Sequence, residues 1–187
     1  AGGALSPLGY LRYHRHLVHD RANPGWWNRD YTPGVETTTG SLGQGIGNAV
    51  GIALAEKHLA AEFNRPGHEL IDHWTWFICS DGDLMEGVSH EAASVAGHFG
   101  LGKLIGFYDD NGITIDGKTD LTYSDDAGKR FEAYGWQVLH VADVNDLAEV
   151  ERAIEAAKAD RSRPTMIVTK THIGFGAPKK VDTSKAH

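Results

Sequence analysis

Short apolar runs alternate with stretches of helical spacing from residue 74 onward, and this alternation constrains the fold more than any other feature of the chain. Trp74–Cys79 and Leu104–Tyr108 are nearly all apolar, as expected of strands buried on both faces of a parallel sheet. Trp136–Val141 and Thr165–Thr169, the latter opening after Pro164, read as two further strands. Between them Gly87–Phe99 reads as a helix, Phe131–Tyr134 as the end of a short one, and Asp146–Ala159 as an amphipathic one. In the last, Leu147, Val150, Ile154 and Ala157 recur at helical spacing. A helix is also expected from Leu42 or Gly43 to Ala61, with Ile46, Val50, Ala53 and Leu54 on its apolar side and Gly47, Ala49 and Gly51 small enough for close packing. Another is expected over Tyr10–Asp20, ended by Asn23-Pro24-Gly25. Strands alternating with helices imply right-handed crossovers, hence an α/β fold: a central parallel sheet with helices on both faces. The 187 residues make one domain, without internal repeat or low-complexity tract.

Charge and cysteine usage narrow the function. The formal net charge of −7 repels phosphate backbones, which argues against nucleic-acid binding. No apolar run is long enough to span a membrane. The single cysteine, Cys79, forms no internal disulfide, lies in an apolar run where a reactive thiol is not expected, and suits a reducing cytoplasm. No signal peptide is read at the start. The chain opens without Met and ends abruptly after Ser184-Lys185-Ala186-His187, so it is expected to be a piece of something longer.

In an open parallel sheet, ligands bind beyond the carboxyl ends of the strands. Two turns fall there, Ser80-Asp81-Gly82-Asp83 and Asp109-Asp110-Asn111-Gly112, on consecutive strands of one βαβ unit. Asp81 and Asn111 each bring a hard oxygen. Mg²⁺ takes an octahedron of oxygens with only one or two carboxylates, so Asp, Asn and a backbone carbonyl leave room for two phosphate oxygens and a water. Gly82 lets a phosphate approach the backbone, and the following helix would aim its first N–H groups at it. The pattern suggests a Mg-diphosphate site; the alternative is two ordinary loops.

The text around these turns resembles the transketolase family. Ser80-Asp81-Gly82, followed at the usual distance by Asn111, is similar to the thiamine-diphosphate motif. The stretch from Thr32-Pro33-Gly34 through Thr37-Thr38-Thr39-Gly40-Ser41-Leu42-Gly43-Gln44-Gly45 resembles the family signature. So do Phe63-Asn64-Arg65-Pro66-Gly67-His68, Asp81 to Gly87, Tyr108 to Ile113, Arg130 to Trp136 and Ile173-Gly174-Phe175-Gly176. The resemblance runs almost continuously over residues 31–187. It implies a thiamine-diphosphate-binding fold, the diphosphate domain of a transketolase. Such an enzyme moves a two-carbon ketol (glycolaldehyde) unit from a ketose phosphate to an aldose phosphate with thiamine diphosphate and Mg²⁺, for which Ca²⁺ or Mn²⁺ can substitute. By the same resemblance, Asp81, Asn111 and the Ile113 carbonyl ligate the metal and Gly82 contacts the diphosphate. Gly40, Leu42 and Ile115 line the cofactor pocket. His187 lies near diphosphate and substrate, and Glu86 and Glu91 sit at a dimer interface linking two active sites. A cytoplasmic homodimer, or association with a pyrimidine-binding domain, is implied too.

The chain departs from the family in four places. Ser80 stands where the motif has its leading Gly, and Ser41 where most relatives have Pro. At Asp30-Tyr31 the segment that brings two histidines to the site is missing, by a gap or a deletion. After His187 the pyrimidine-binding domain, with its activating glutamate, is absent. Three rivals follow: a dihydroxyacetone synthase-like transferase, a non-catalytic truncated chain needing a separate pyrimidine domain, and a Rossmann oxidoreductase suggested only by Gly43-x-Gly45-x-Gly47. His14, His16 and His19 could mark a zinc site but read better as solvated or packed. His68 and His73 read as structural. Asp109-Asp110 could hold a cation or cap its turn, and Trp74, Trp76, Phe77 and Phe107 read as core.

Overall fold

The computed structural model describes residues 36, 37 and 39–186. The expected helix over Tyr10–Asp20, its three histidines, the Asp30-Tyr31 junction and His187 lie outside the described residues. The order of elements is α1 (Gln44–Phe63), β1 (Thr75–Ser80), α2 (Asp81–Met85), α3 (Gly87–His98), β2 (Leu104–Asp110), β3 (Ile113–Thr114), β4 (Gly117–Lys118), α4 (Ala127–Ala133), β5 (Gln137–Val141), α5 (Leu147–Ala159) and β6 (Thr165–Lys170). Short 3-10 turns occur at Thr119–Leu121, after β4, and at Ser184–Ala186, after β6. The four expected strands and the helices between them are thus present within a residue or two of their expected bounds. The turn expected at Ser80-Asp81-Gly82-Asp83 is instead the start of α2. The small antiparallel hairpin β3–β4 was not foreseen.

β1, β2, β6 and β5 pair side by side in that order, all parallel. The step from β1 to β2 runs one way across the sheet and the step from β5 to β6 runs the other. With crossovers of one hand, the two connections must lie on opposite faces. The core divides accordingly. On one face Ile46, Ala49, Val50 and Ala53 of α1, Ala93 and Ala96 of α3, and Phe131 of α4 bury Phe77, Cys79, Leu104, Tyr108 and Met166. On the other, Val150, Ala153 and Ala157 of α5 pack on Ile105, Phe107, Val141 and Ile167. Asp146 caps α5 by accepting the amides of Ala148 and Glu149.

One expectation about the core is corrected. Trp76 is 40% exposed, stacked on Phe107 with ring centroids 6.1 Å apart. It points to the face that α5 covers, but α5 lies over β5 and β6, and β1 is at the opposite edge. Trp136, by contrast, is fully buried. Its Nε1 donates to the Ala93 carbonyl at 2.8 Å and its ring meets Phe131 edge-on at 4.9 Å, locking α3 against the α4–β5 turn. α3 comes so close there that a Cβ on Gly97 would lie 1.7 Å from the Tyr134 carbonyl oxygen.

A salt-bridge cluster pins α1 to the start of β2. Lys103 Nζ lies 2.5 Å from Glu56 Oε1 and 2.5 Å from Asp72 Oδ1. Glu56 projects from α1 and is 4% exposed. Burial pulls the Lys103 pKa down, but its hydrogen bonds to Asp72 and Glu56 outweigh this and the net shift is upward. We expect Lys103→Ala to cost about 3–5 kcal/mol in urea unfolding at neutral pH, because it strands a buried carboxylate. The contribution is present below the ordinary lysine value of 10.5 and is lost as pH rises through the raised one. Separately, Gly97→Ala should prevent a stable fold, seen as loss of the cooperative thermal transition, because the clash is with backbone.

Candidate cofactor site

Register brings the expected site residues to one edge of the sheet. Ser80 pairs with Asp109, and Asp109 with Thr169, so β1, β2 and β6 end side by side. Asp81, the first residue after β1, is 2% exposed. Its Oδ1 accepts the Tyr108 hydroxyl at 2.6 Å and its Oδ2 accepts the Gly112 amide at 3.1 Å. The second bond joins the Asp81 turn directly to the turn that carries Asn111. Asn111 is oriented in its own way. Its Nδ2 donates to Asp109 Oδ1 at 3.3 Å and its Oδ1 accepts the Ile113 amide at 2.9 Å. The Thr171 hydroxyl donates to the same Asp109 oxygen from the segment after β6. Asp110 pairs with Lys170 at 3.2 Å. Both members of the Asp109-Asp110 pair therefore hold protein groups.

The electrostatics around Asp81 suit a cation. Burial raises its pKa above the ordinary 3.8; the Tyr108 hydrogen bond works against this, and the Asp110 charge adds to the rise. Burial and the Asp81 carboxylate also push the Tyr108 phenol far up, so it stays a donor. Tyr108, Gly112 and the Asn111 backbone amide donate to the Asp81 carboxylate, whose two oxygens accept more bonds than these, and Asn111 Oδ1 likewise keeps acceptor capacity. A divalent ion there would offset the buried charge. No group of three or more His, Cys, Asp or Glu able to hold a metal occurs among the described residues. An ion here would thus rest on one carboxylate, one amide oxygen and ligands of other kinds, which is the donor set Mg²⁺ accepts.

The remaining expected residues among those described differ in their surroundings. Leu42 is 38% exposed and lies over Gly82: a Cβ on that glycine would sit 3.4 Å from Leu42 Cδ1. Gly40 is exposed in the loop before α1, with open space around it. Ile113 is buried in β3, and Ile115 is 71% exposed between β3 and β4. Glu86 forms the break between α2 and α3, and Glu91 is exposed on α3. Tyr108 and Gly112 were not foreseen as partners of Asp81. A tyrosine in an apolar run reads as packing, and only the strand register shows where its hydroxyl goes. α2 is five residues long, too short to lend the phosphate a helix dipole of any weight.

An open parallel sheet with paired oxygen-bearing turns at its strand tips is the architecture of nucleotide- and diphosphate-binding α/β proteins. The chain matches the family described as transketolase, thiamine diphosphate binding domain, over residues 6–187, and belongs to that family. Among curated relatives it is 60% identical over 164 residues to transketolase 1 of Vibrio cholerae, covering 88% of this chain and 25% of that protein. It is 45% identical to the transketolase of Geobacillus stearothermophilus in an alignment of 228 positions, longer than this chain, covering 97% of it and 34% of the relative. Among solved structures, a Pichia stipitis transketolase in complex with sedoheptulose-7-phosphate superposes with a TM-score of 0.83 at 45% identity, over 88% of this chain and 24% of that one. The chain thus spans about a quarter to a third of the length of these relatives.

Tyr108→Phe tests the electrostatics of the site. Asp81 loses a donor, and stability should fall by about 1–3 kcal/mol at neutral pH. In the metal-free chain Asp81 withdraws stability as pH rises from 3.8 through its raised value, because the folded state favours its protonated form. Tyr108 favours the ionised form, so the penalty of its removal should shrink as pH falls toward 3.8, read by urea titration across that range.

Proposed function

We propose that this chain is the diphosphate-binding part of a transketolase. With thiamine diphosphate and Mg²⁺, or Ca²⁺ or Mn²⁺ in its place, that enzyme would transfer a two-carbon ketol unit from a ketose phosphate to an aldose phosphate in the cytoplasm. The observation that carries this reading is the hydrogen bond from the Gly112 amide to Asp81, which joins the two turns that the family resemblance assigns to the metal. The Pichia stipitis relative, solved with a sugar phosphate, supports the substrate class. The single, buried cysteine accords with a reducing compartment.

In this reading Asp81, Asn111 and the Ile113 carbonyl hold the metal, and Gly82 admits the diphosphate. Leu42 and Ile115 would line the cofactor pocket as an apolar wall, which would favour the less charged species of the reaction. His187, near diphosphate and substrate, would carry protons at neutral pH. Thiamine diphosphate, when bound, supplies the carbanion chemistry. Glu86 and Glu91 would sit at a homodimer interface. Exposed Val88 and Val95 on α3 and Phe99 just past its end form an apolar stripe, and Glu91 lies on it, three residues past Val88 and four before Val95.

A second reading rests on the share of the relatives that the chain covers. The polypeptide would carry only the diphosphate half of the site and need a pyrimidine-binding domain from elsewhere. We also read Asp30-Tyr31 as the point where relatives carry extra residues, in keeping with an alignment longer than the chain.

Calorimetry with thiamine diphosphate, with and without Mg²⁺, tests the site. Asp81→Ala should lower metal-dependent affinity about a hundredfold and Asn111→Ala about tenfold. Unchanged affinity in Asp81→Ala refutes the assignment. Turnover that appears only when a pyrimidine-binding domain is supplied separately favours the second reading.

A further inference from the structure

We propose that Asp83 is a positioning residue that clamps the Gly40–Gly43 loop to the Asp81-Gly82 turn and so fixes the spacing of two walls of the cofactor site. The inference rests on the thiamine-diphosphate reading and extends it to a residue outside the ligand set. Asp83 divides its carboxylate between two loops. Oδ2 accepts the Ser80 amide at 2.9 Å and the Ser80 hydroxyl at 3.0 Å. Oδ1 accepts the Gly43 amide at 2.9 Å, from forty residues earlier in the chain. Gly43 is the residue before α1 and has φ 77°, a left-handed conformation that favours glycine. A Cβ there would lie 2.8 Å from Val88 Cγ1 and 2.9 Å from Glu86 Cβ, so the loop is wedged against the α2–α3 break.

The contacts place this clamp between residues that the cofactor would touch. Leu42 precedes Gly43 and lies over Gly82, and Asp81 and Gly82 precede Asp83. When Asp83 draws Gly43 in, Leu42 is set over the glycine that admits the diphosphate. The carboxylate also stands against Gly43, the residue that opens the long helix α1. Backbone N–H groups lack intrahelical partners at such ends, so an anion is favoured there. Ser80, placed where the family motif has Gly, directs its hydroxyl to the same carboxylate and so is accommodated without disturbing Asp81.

The test compares Asp83→Ala, Asp83→Asn, Asp81→Ala and a control, Asp126→Ala, in the full chain. Asp126 caps α4 by accepting the Lys129 amide at 3.0 Å, so its removal is an ordinary cap loss away from the site. Two quantities decide, hydrogen exchange at the Gly43 amide without ligand and the dissociation constant for thiamine diphosphate at saturating Mg²⁺; the Mg²⁺ half-saturation and the thermal midpoint serve as controls. In Asp83→Ala, Gly43 exchange should quicken at least about fivefold. Affinity should fall about tenfold while the Mg²⁺ concentration for half-saturation, read at saturating thiamine diphosphate, stays unchanged. Asp83→Asn keeps one acceptor oxygen and should recover part of both. Asp126→Ala should lower the thermal midpoint and move neither. Unchanged Gly43 exchange in Asp83→Ala overturns the clamp. Faster exchange with affinity within about twofold of the parent overturns its role toward the cofactor. Full affinity in Asp81→Ala overturns the metal assignment instead, so the two failures are told apart.

Discussion

A carboxylate that water scarcely reaches ties two strand tips together, and the candidate site depends on it. Asp81 sits just past β1, and its two oxygens are engaged by the last turn of β2, through Tyr108 and Gly112. Burying that charge is costly, as the raised pKa records, and Asp110 adds a repulsion of the same sign. The two hydrogen bonds offset part of the cost only while β1 and β2 keep their register. A slip of one residue would turn Tyr108 to the opposite face and take its hydroxyl away from Asp81. Register, burial and the meeting of the two turns are thus one constraint.

Most of the architecture was legible because it follows from local periodicity. Apolar runs too short for helices, separated by stretches of period 3.6, leave little but a parallel sheet with crossovers, and the amphipathic α5 was plain from spacing alone. Trp76 was not legible. Apolar content shows that a residue can be buried but not which strand a helix will cover. That depends on β6 inserting between β2 and β5, a long-range choice that draws α5 to the far side of the sheet.

The site divides in the same way. Asp81, Gly82 and Asn111 stood out because glycine- and asparagine-bearing turns at the ends of consecutive strands have a predictable position. Tyr108 and Asp83 did not, because their partners lie at a distance in sequence: 27 residues for Tyr108 and 40 for the Asp83–Gly43 bond. Such pairings are settled by how the strand ends and the loop before α1 come together, which no spacing within one segment reveals.

The four aspartates of the two turns share no common role. Asp83 holds Ser80 and Gly43, Asp109 receives Thr171 and Asn111, and Asp110 faces Lys170. Asp81 differs in being deeply buried and repelled by its charged neighbour Asp110. Under the proposed function this distribution has a consequence for ligand binding. One carboxylate and neutral oxygens leave a divalent cation several coordination positions short, and Mg²⁺ fills such positions with phosphate oxygens and water. The protein alone would then hold the metal weakly, and the diphosphate alone would meet a buried negative charge. Each makes the other's binding favourable, so metal and cofactor would enter the site as a pair.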